Sequence, residues 1–120
     1  MPQGGIDKGE TAEGAALREL EEETGVSPSL VRVEAEHPDW ISYDLPGHLI
    51  GKVWGGKYRG QSQKWFLLRF LGKDSDIDIT RHDKEFARWR WSSADDVLTD
   101  IVPFKRNVYT QVIEAFRPHL

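Results

Sequence analysis

Glu19, Glu21, Glu22 and Glu23 crowd into the stretch "RELEEETGV". Like charges at helical neighbour spacing repel each other, so the run needs a reason. At about 100° per residue, with Glu19 set at zero, Glu22 falls near −60°, Glu23 near +40° and Glu21 near 200°. Three carboxylates therefore share one helix face and Glu21 points away as a solvated side chain. Carboxylate oxygens are the hard donors that Mg²⁺ and Mn²⁺ prefer, and such a cation would relieve the repulsion. Ala12, Ala15 and Ala16 lie on the same side and leave room for a bulky ligand, while Leu17 and Leu20 fall further round, towards a core. An isolated acidic run is ordinarily just a solvated face. The residues around this one argue for more.

The elements that must position these acids can be read outward from them. Met1 to Glu10, "MPQGGIDKGE", is Gly-rich and poor in apolar residues, a loop. Thr11 is a candidate N-cap and Gly25 a candidate C-terminal stop for the helix between them. "LVRVEAE" (Leu30 to Glu36) and "DWISYDL" (Asp39 to Leu45) alternate as strands. "PGHLIGKVWGGKYRGQ" is turn-rich, a hairpin or long loop. "SQKWFLLRFLG" reads as one strong strand ending at Gly72, and "FARWRWSS" as another, with Trp65, Trp89 and Trp91 assigned to the core. "SADDVLTDI" starts a capped helix, and "KRNVYTQVIEAFR" has helical spacing at Val108, Val112, Ile113 and Phe116.

Gly4, Glu10, Arg18, Glu19, Leu20, Glu22, Glu23, Gly25 and Val26 stand in the spacing G-x5-E-x7-R-E-U-x-E-E-x-G-U, with U aliphatic. This resembles the signature of the Nudix hydrolases, and every specified position is met. The resemblance implies an α/β (α+β) fold, an α/β/α sandwich with a mixed central sheet and a loop–helix–loop carrying the box, residues 4–26. It implies hydrolysis of a nucleoside diphosphate linked to another group, dependent on Mg²⁺ or Mn²⁺. Carried over position by position, Glu19, Glu22 and Glu23 are the expected metal-binding and catalytic carboxylates. Glu10 and Arg18 are the pair expected to brace loop against helix, with Arg18 fixing a carboxylate rotamer. Gly4 and Gly25 are structural box positions, and Gln3 is expected to offer its backbone carbonyl to a metal. Metals neutralise the polyphosphate, lower the pKa of a bound water and stabilise the leaving phosphate, so a carboxylate need only steer or accept a proton. Either Glu19 or Glu22 could be that base.

The downstream half narrows the branch. "MPQGGID", "YRGQSQKWFLLRF", "EFARWRW" and "PFKRNVY" resemble bacterial RNA pyrophosphohydrolases and the related diadenosine tetraphosphate hydrolases. That resemblance implies Glu85 as a further metal ligand from outside the box. It implies Lys64 as a positive charge for the polyphosphate, and Phe104 with Lys105 as a base-contacting pair, a ring stacking on a purine. Phe104 reads equally well as core filling. Tyr58 and Tyr109 are weaker candidates for nucleotide contact. The substrate is then a dinucleoside polyphosphate, the 5′-triphosphorylated end of RNA, or both.

Composition sets outer bounds. The chain of 120 residues is one domain's worth, and a formal net charge of −4 argues against a generic nucleic-acid coat. There are no cysteines, which excludes disulfides, thiol nucleophiles and Cys-based zinc sites. No apolar run approaches the roughly 18 residues that span a bilayer. With no signal-peptide core either, the expected location is the cytoplasm, with no membrane partner. Nothing in the pattern specifies an oligomeric state. Relatives of this branch carry early strands ahead of "PQGG", so residues 1–120 are expected to form a single domain shortened at its N-terminus, with impaired stability and activity. Two other readings stand beside the enzyme: a Nudix-fold module that binds nucleotides without hydrolysing them, and an inactive fragment.

Overall fold

The computed structural model describes residues 2–44, 46–49, 60–80 and 88–120. Its elements are α1 (Ala12–Thr24), β1 (Val31–Glu36), β2 (Ile41–Asp44), β3 (Gly60–Gln63), β4 (Phe66–Phe70), α2 (Ala94–Asp100) and α3 (Pro103–Phe116). The class is α+β. Among the described residues the strands form two separate pairs, β1 with β4 and β2 with β3, and the mixed strand order expected for a central sheet is not among them. The backbone packs as two units, Met1–Ala35 with Phe66–Trp91, and Glu36–Trp65 with Ser92–Leu120.

In the first unit α1 starts and stops where its local chemistry dictates. The Thr11 hydroxyl accepts from Gly14 N at 3.0 Å, satisfying an otherwise unpaired first-turn amide. Gly25 ends the helix in the left-handed region at φ 72°, its N–H donating to Glu21 O at 2.8 Å. A Cβ at Gly25 would also lie 2.8 Å from the Asp78 carbonyl oxygen, so both conformation and space require glycine. Ala15 and Val26 are buried, whereas Leu17 and Leu20 are only half-buried. Leu71 N donates to Leu30 O at 2.7 Å, which joins the end of β4 to the start of β1, the antiparallel sense.

The second unit is built on an antiparallel ladder that pairs Ile41 with Gln63 and Tyr43 with Gln61. α3 opens with Pro103 at its first turn, where the missing N–H costs nothing. It buries Val108, Tyr109, Val112, Ile113 and Phe116, one helical stripe that includes all four positions expected from the sequence. α2 is capped by the Ser93 hydroxyl, which accepts from Asp96 N at 3.1 Å.

Two expectations need correction. The single strand read across "SQKWFLLRFLG" is two strands with different partners. Gln61, Gln63 and Trp65 keep the two-residue period of a half-buried strand, and the continuous apolar run from Phe66 then begins a new pairing. Trp89 and Trp91 are not core residues: they are 39% and 60% exposed, and residues 88–93 form no strand. They pack on each other and, through Trp91, on Phe70, with the Trp91 indole N–H donating to Asp74 Oδ1 at 2.9 Å. Side-chain partners of that kind satisfy an indole without burial or a backbone ladder.

Candidate active site

The loop before α1 is folded around one guanidinium. Asp7 N donates to Glu10 Oε1 and Glu10 N to Asp7 O, both at 3.0 Å, closing a turn that Gly9 completes at φ 82°. Arg18, at the end of the second turn of α1, grips the Glu10 carboxylate with both arms. Its Nε donates to Oε2 at 2.8 Å and its Nη2 to Oε1 at 3.0 Å. The same Nη2 donates to the Gly5 carbonyl at 2.8 Å. The expected brace between loop and helix is therefore a bidentate fork, the geometry for which Arg is suited and Lys is not.

Arg18 also organises the acidic face. Its Nη1 donates to Glu19 Oε1 at 2.7 Å and to Glu22 Oε2 at 3.3 Å, drawing two box carboxylates to one nitrogen. Glu23 Oε2 accepts from Gln3 N at 3.0 Å, tying the third carboxylate to the start of the loop. Gly4 lies so close to Glu19 that a Cβ there would run into the carboxyl group. Its glycine identity follows from that approach, without any unusual backbone angle. Asp7, 3.5 Å from Arg18 Nη2, and the Gly5 carbonyl are partners that the sequence reading leaves out.

Charge follows the geometry. The Arg18 fork and the Asp7 amide hold the Glu10 carboxyl below the usual carboxylate range. Arg18 is pushed further above its already high value, first by Glu10 and then by Glu19. Four glutamates against one guanidinium leave an excess of negative charge. All four supply hard oxygen donors, the kind a Mg²⁺-sized cation takes. In donor type the set fits a divalent metal. As these side chains lie, Arg18 is their local cation, and among the described residues no three acidic groups converge into a metal-holding cluster. Glu85 lies outside the described residues, as does Tyr58.

The other expected contact residues belong to the second unit. Phe104 is half-buried, with its ring 5.9 Å from that of Tyr43 and Lys105 Nζ 5.8 Å from its centroid. Lys64 has only 12% of its side chain exposed, with its ammonium 3.9 Å from Glu36 Oε1. Tyr109 is a core residue, 8% exposed and edge-on to Trp65, so it leaves the set of nucleotide contacts. Burial pushes its phenol up, and Tyr43 adds to the shift. Gln61 and Gln63 carry no motif that would single them out in the sequence. Their one signal there is a two-residue spacing with Trp65 in "GQSQKW".

The bidentate Arg18–Glu10 brace, the acidic face of α1 and the α+β frame are the features expected from the Nudix resemblance. The chain belongs to the NUDIX domain family, which it matches over residues 1–112. It is 59% identical to an RNA pyrophosphohydrolase of Roseobacter denitrificans over 120 residues, covering 100% of this chain and 75% of that protein. A second RNA pyrophosphohydrolase, from Cereibacter sphaeroides, is 58% identical, covering 100% and 74% respectively. Two solved structures share the fold. A dihydroneopterin triphosphate pyrophosphohydrolase of E. coli matches with a TM-score of 0.66 at 22% identity, over 90% of this chain and 71% of that one. An Ap4A hydrolase of C. elegans matches with a TM-score of 0.61 at 21% identity, over 99% and 76%. Hydrolases of this family generally need a divalent metal ion.

Proposed function

We propose that this chain is a Nudix pyrophosphohydrolase that cleaves a phosphoric anhydride bond in the 5′-polyphosphate of a nucleotide. Its substrate is the 5′-triphosphorylated end of RNA, a dinucleoside polyphosphate of the diadenosine tetraphosphate type, or both. The observation that supports the reading most is Arg18, which bonds Glu10, Glu19 and Glu22 at once and so joins the loop to the acidic face. Identity of 59% to a protein named RNA pyrophosphohydrolase favours the RNA end.

In this reading Glu19, Glu22 and Glu23 hold the metal, Mg²⁺ or Mn²⁺, with the Gln3 carbonyl and Glu85 as further ligands. When bound, the metal neutralises phosphate charge and acidifies a water. The protein's own residues do the rest. A carboxylate oxygen of Glu19 or Glu22 takes a proton from the attacking water as its oxygen forms a new bond to phosphorus, the bridging P–O bond breaks and the leaving phosphate departs with that electron pair. Arg18 holds both carboxylates in register through the reaction, and Glu10 holds Arg18. Lys64 meets the polyphosphate, and Phe104 with Lys105 takes the base. A family match that runs through both packing units supports one domain over 1–120. Among the described residues no helix is long and apolar enough to cross a membrane. We place the enzyme in the cytoplasm, where such substrates are found.

The second reading is a nucleotide-binding domain without turnover. One assay separates the two. The protein is incubated with diadenosine tetraphosphate and with 5′-triphosphorylated RNA, with and without Mg²⁺, beside Glu22→Gln. Metal-dependent products that disappear in the variant support the enzyme. Binding without products supports the second reading, and neither result would leave an inactive fragment.

A further inference from the structure

The described face of the β2–β3 ladder carries a chain of polar groups with a single possible direction. Tyr43 lies opposite Gln61, and Gln63 opposite Ile41, so Tyr43, Gln61 and Gln63 share one side of the pleat. Ser42 and Ser62 bond to each other at 3.1 Å and are exposed, on the other side. Trp65 Nε1 donates to Gln63 Oε1 at 3.0 Å, Gln63 Nε2 donates to Gln61 Oε1 at 3.1 Å, and Tyr43 Oη donates to the same Gln61 oxygen at 3.2 Å.

Carboxamide oxygen and nitrogen are interchangeable in shape, so their order must come from the network. Here it does. An indole N–H can only donate, which makes the near end of Gln63 its oxygen and the far end its NH₂. That NH₂ lies 3.1 Å from the end of the Gln61 carboxamide, and two NH₂ groups cannot bond to each other, which makes the facing end of Gln61 its oxygen. Burial raises the Tyr43 phenol, so it stays protonated and able to donate to that same oxygen. The Gln61 NH₂ is left as a donor with no hydrogen-bond partner among the described residues. It ends the chain beside Tyr43, whose ring touches Phe104.

We infer that Trp65 and Gln63 are positioning residues that fix Gln61 as a hydrogen-bond donor to an acceptor atom on the substrate's nucleoside. The inference rests on the reading of Phe104 as the ring that takes the base. The acceptor is a carbonyl oxygen or ring nitrogen of the base, and a group that can only donate is refused there. Trp65 acts on Gln61 through the intervening Gln63 amide, by amide polarity rather than contact.

The test measures binding of a 5′-triphosphorylated RNA in EDTA, where no turnover is needed, alongside KM and kcat with Mg²⁺. The variants are Trp65→Phe, Gln63→Glu and Gln61→Leu, singly and in pairs. Trp65→Phe keeps the ring against Tyr109 and removes only the N–H. Gln63→Glu keeps the shape but has no proton to give Gln61. A neutral hydrogen bond corresponds to about a 2- to 10-fold weakening of binding for each variant, seen in KM with little change in kcat. Combining Trp65→Phe or Gln63→Glu with Gln61→Leu should add nothing to Gln61→Leu alone. Inorganic tripolyphosphate, used as a competitor, should bind every variant alike. Additive losses, weakened tripolyphosphate binding, or failure of the RNA to bind at all would overturn the inference. If Trp65→Phe unfolds, Gln63→Glu against Gln61→Leu completes the same cycle. Coupled binding without any hydrolysis would instead remove the proposed enzyme activity and leave the relay standing.

Discussion

Arg18 and Glu10 are joined by two parallel hydrogen bonds, 2.8 and 3.0 Å, across eight residues of chain. A lysine could keep the charge but offers a single ammonium in place of a planar fork. Arg18→Lys should therefore release the loop and the rotamers of Glu19 and Glu22 together. We expect kcat/KM to fall about 10- to 100-fold, the usual range for removing a group that orients metal ligands. Steady-state kinetics with the RNA substrate checks this, and an unchanged kcat/KM would separate Arg18 from the chemistry.

Glu10 also predicts an acid limb in stability. Its pKa is lowered by the Arg18 hydrogen bonds, relative to an ordinary 4.5. A carboxyl depressed in the folded state contributes stability above its unfolded value and loses it as pH falls through the folded value. Glu34, lowered by Arg32 and then by Arg69, acts in the same direction. Urea denaturation between pH 7 and pH 3 should show stability falling below about pH 4.5, and Glu10→Gln should flatten that fall.

Gly4 and Gly25 are required for different reasons, and the same substitution separates them. Gly4→Ala puts a methyl group into the Glu19 carboxyl and should abolish most activity while the protein stays folded. Gly25→Ala forces a side chain into left-handed backbone at a cost of about 1–2 kcal/mol, and its Cβ meets the Asp78 carbonyl as well. Its thermal midpoint should drop, with residual activity in the folded fraction. Calorimetry beside kinetics distinguishes the two.

Much of this was legible in the residues themselves. The box is local: a cap at Thr11, a stop at Gly25 and an acid face with helical spacing are set by neighbours within one or two turns. The apolar stripe of α3 was readable for the same reason. Trp89 and Trp91 misled because a Trp–x–Trp alternation resembles a half-buried strand, and nothing local says that Asp74 and Phe70 will receive Trp91 instead. The change of partner at Lys64 and Trp65 is a matter of pairing, and pairing is non-local. The Gln61–Gln63–Trp65 relay was invisible because two of its members are polar residues with no motif of their own. Their meaning comes from Tyr43 across the ladder.

The helix phase makes its own prediction. Glu21, on the opposite side from Glu19, Glu22 and Glu23, should tolerate Gln with turnover close to that of the parent. Glu22→Gln should lower kcat by about 100-fold or more, since it removes a charged oxygen donor from the acidic face proposed to hold the metal. Parallel initial rates decide it, and comparable losses in the two variants would mean the acids do not divide as described.

The box carboxylates are proposed to hydrolyse a nucleotide polyphosphate with a divalent metal. Initial rates on 5′-triphosphorylated RNA, titrated with Mg²⁺ after EDTA treatment, test it most directly. Without metal no phosphate should be released, the rate should rise saturably as Mg²⁺ is added, and that rise should be lost in Glu22→Gln. Hydrolysis that ignores Mg²⁺, or that survives Glu22→Gln at the parent rate, would contradict it.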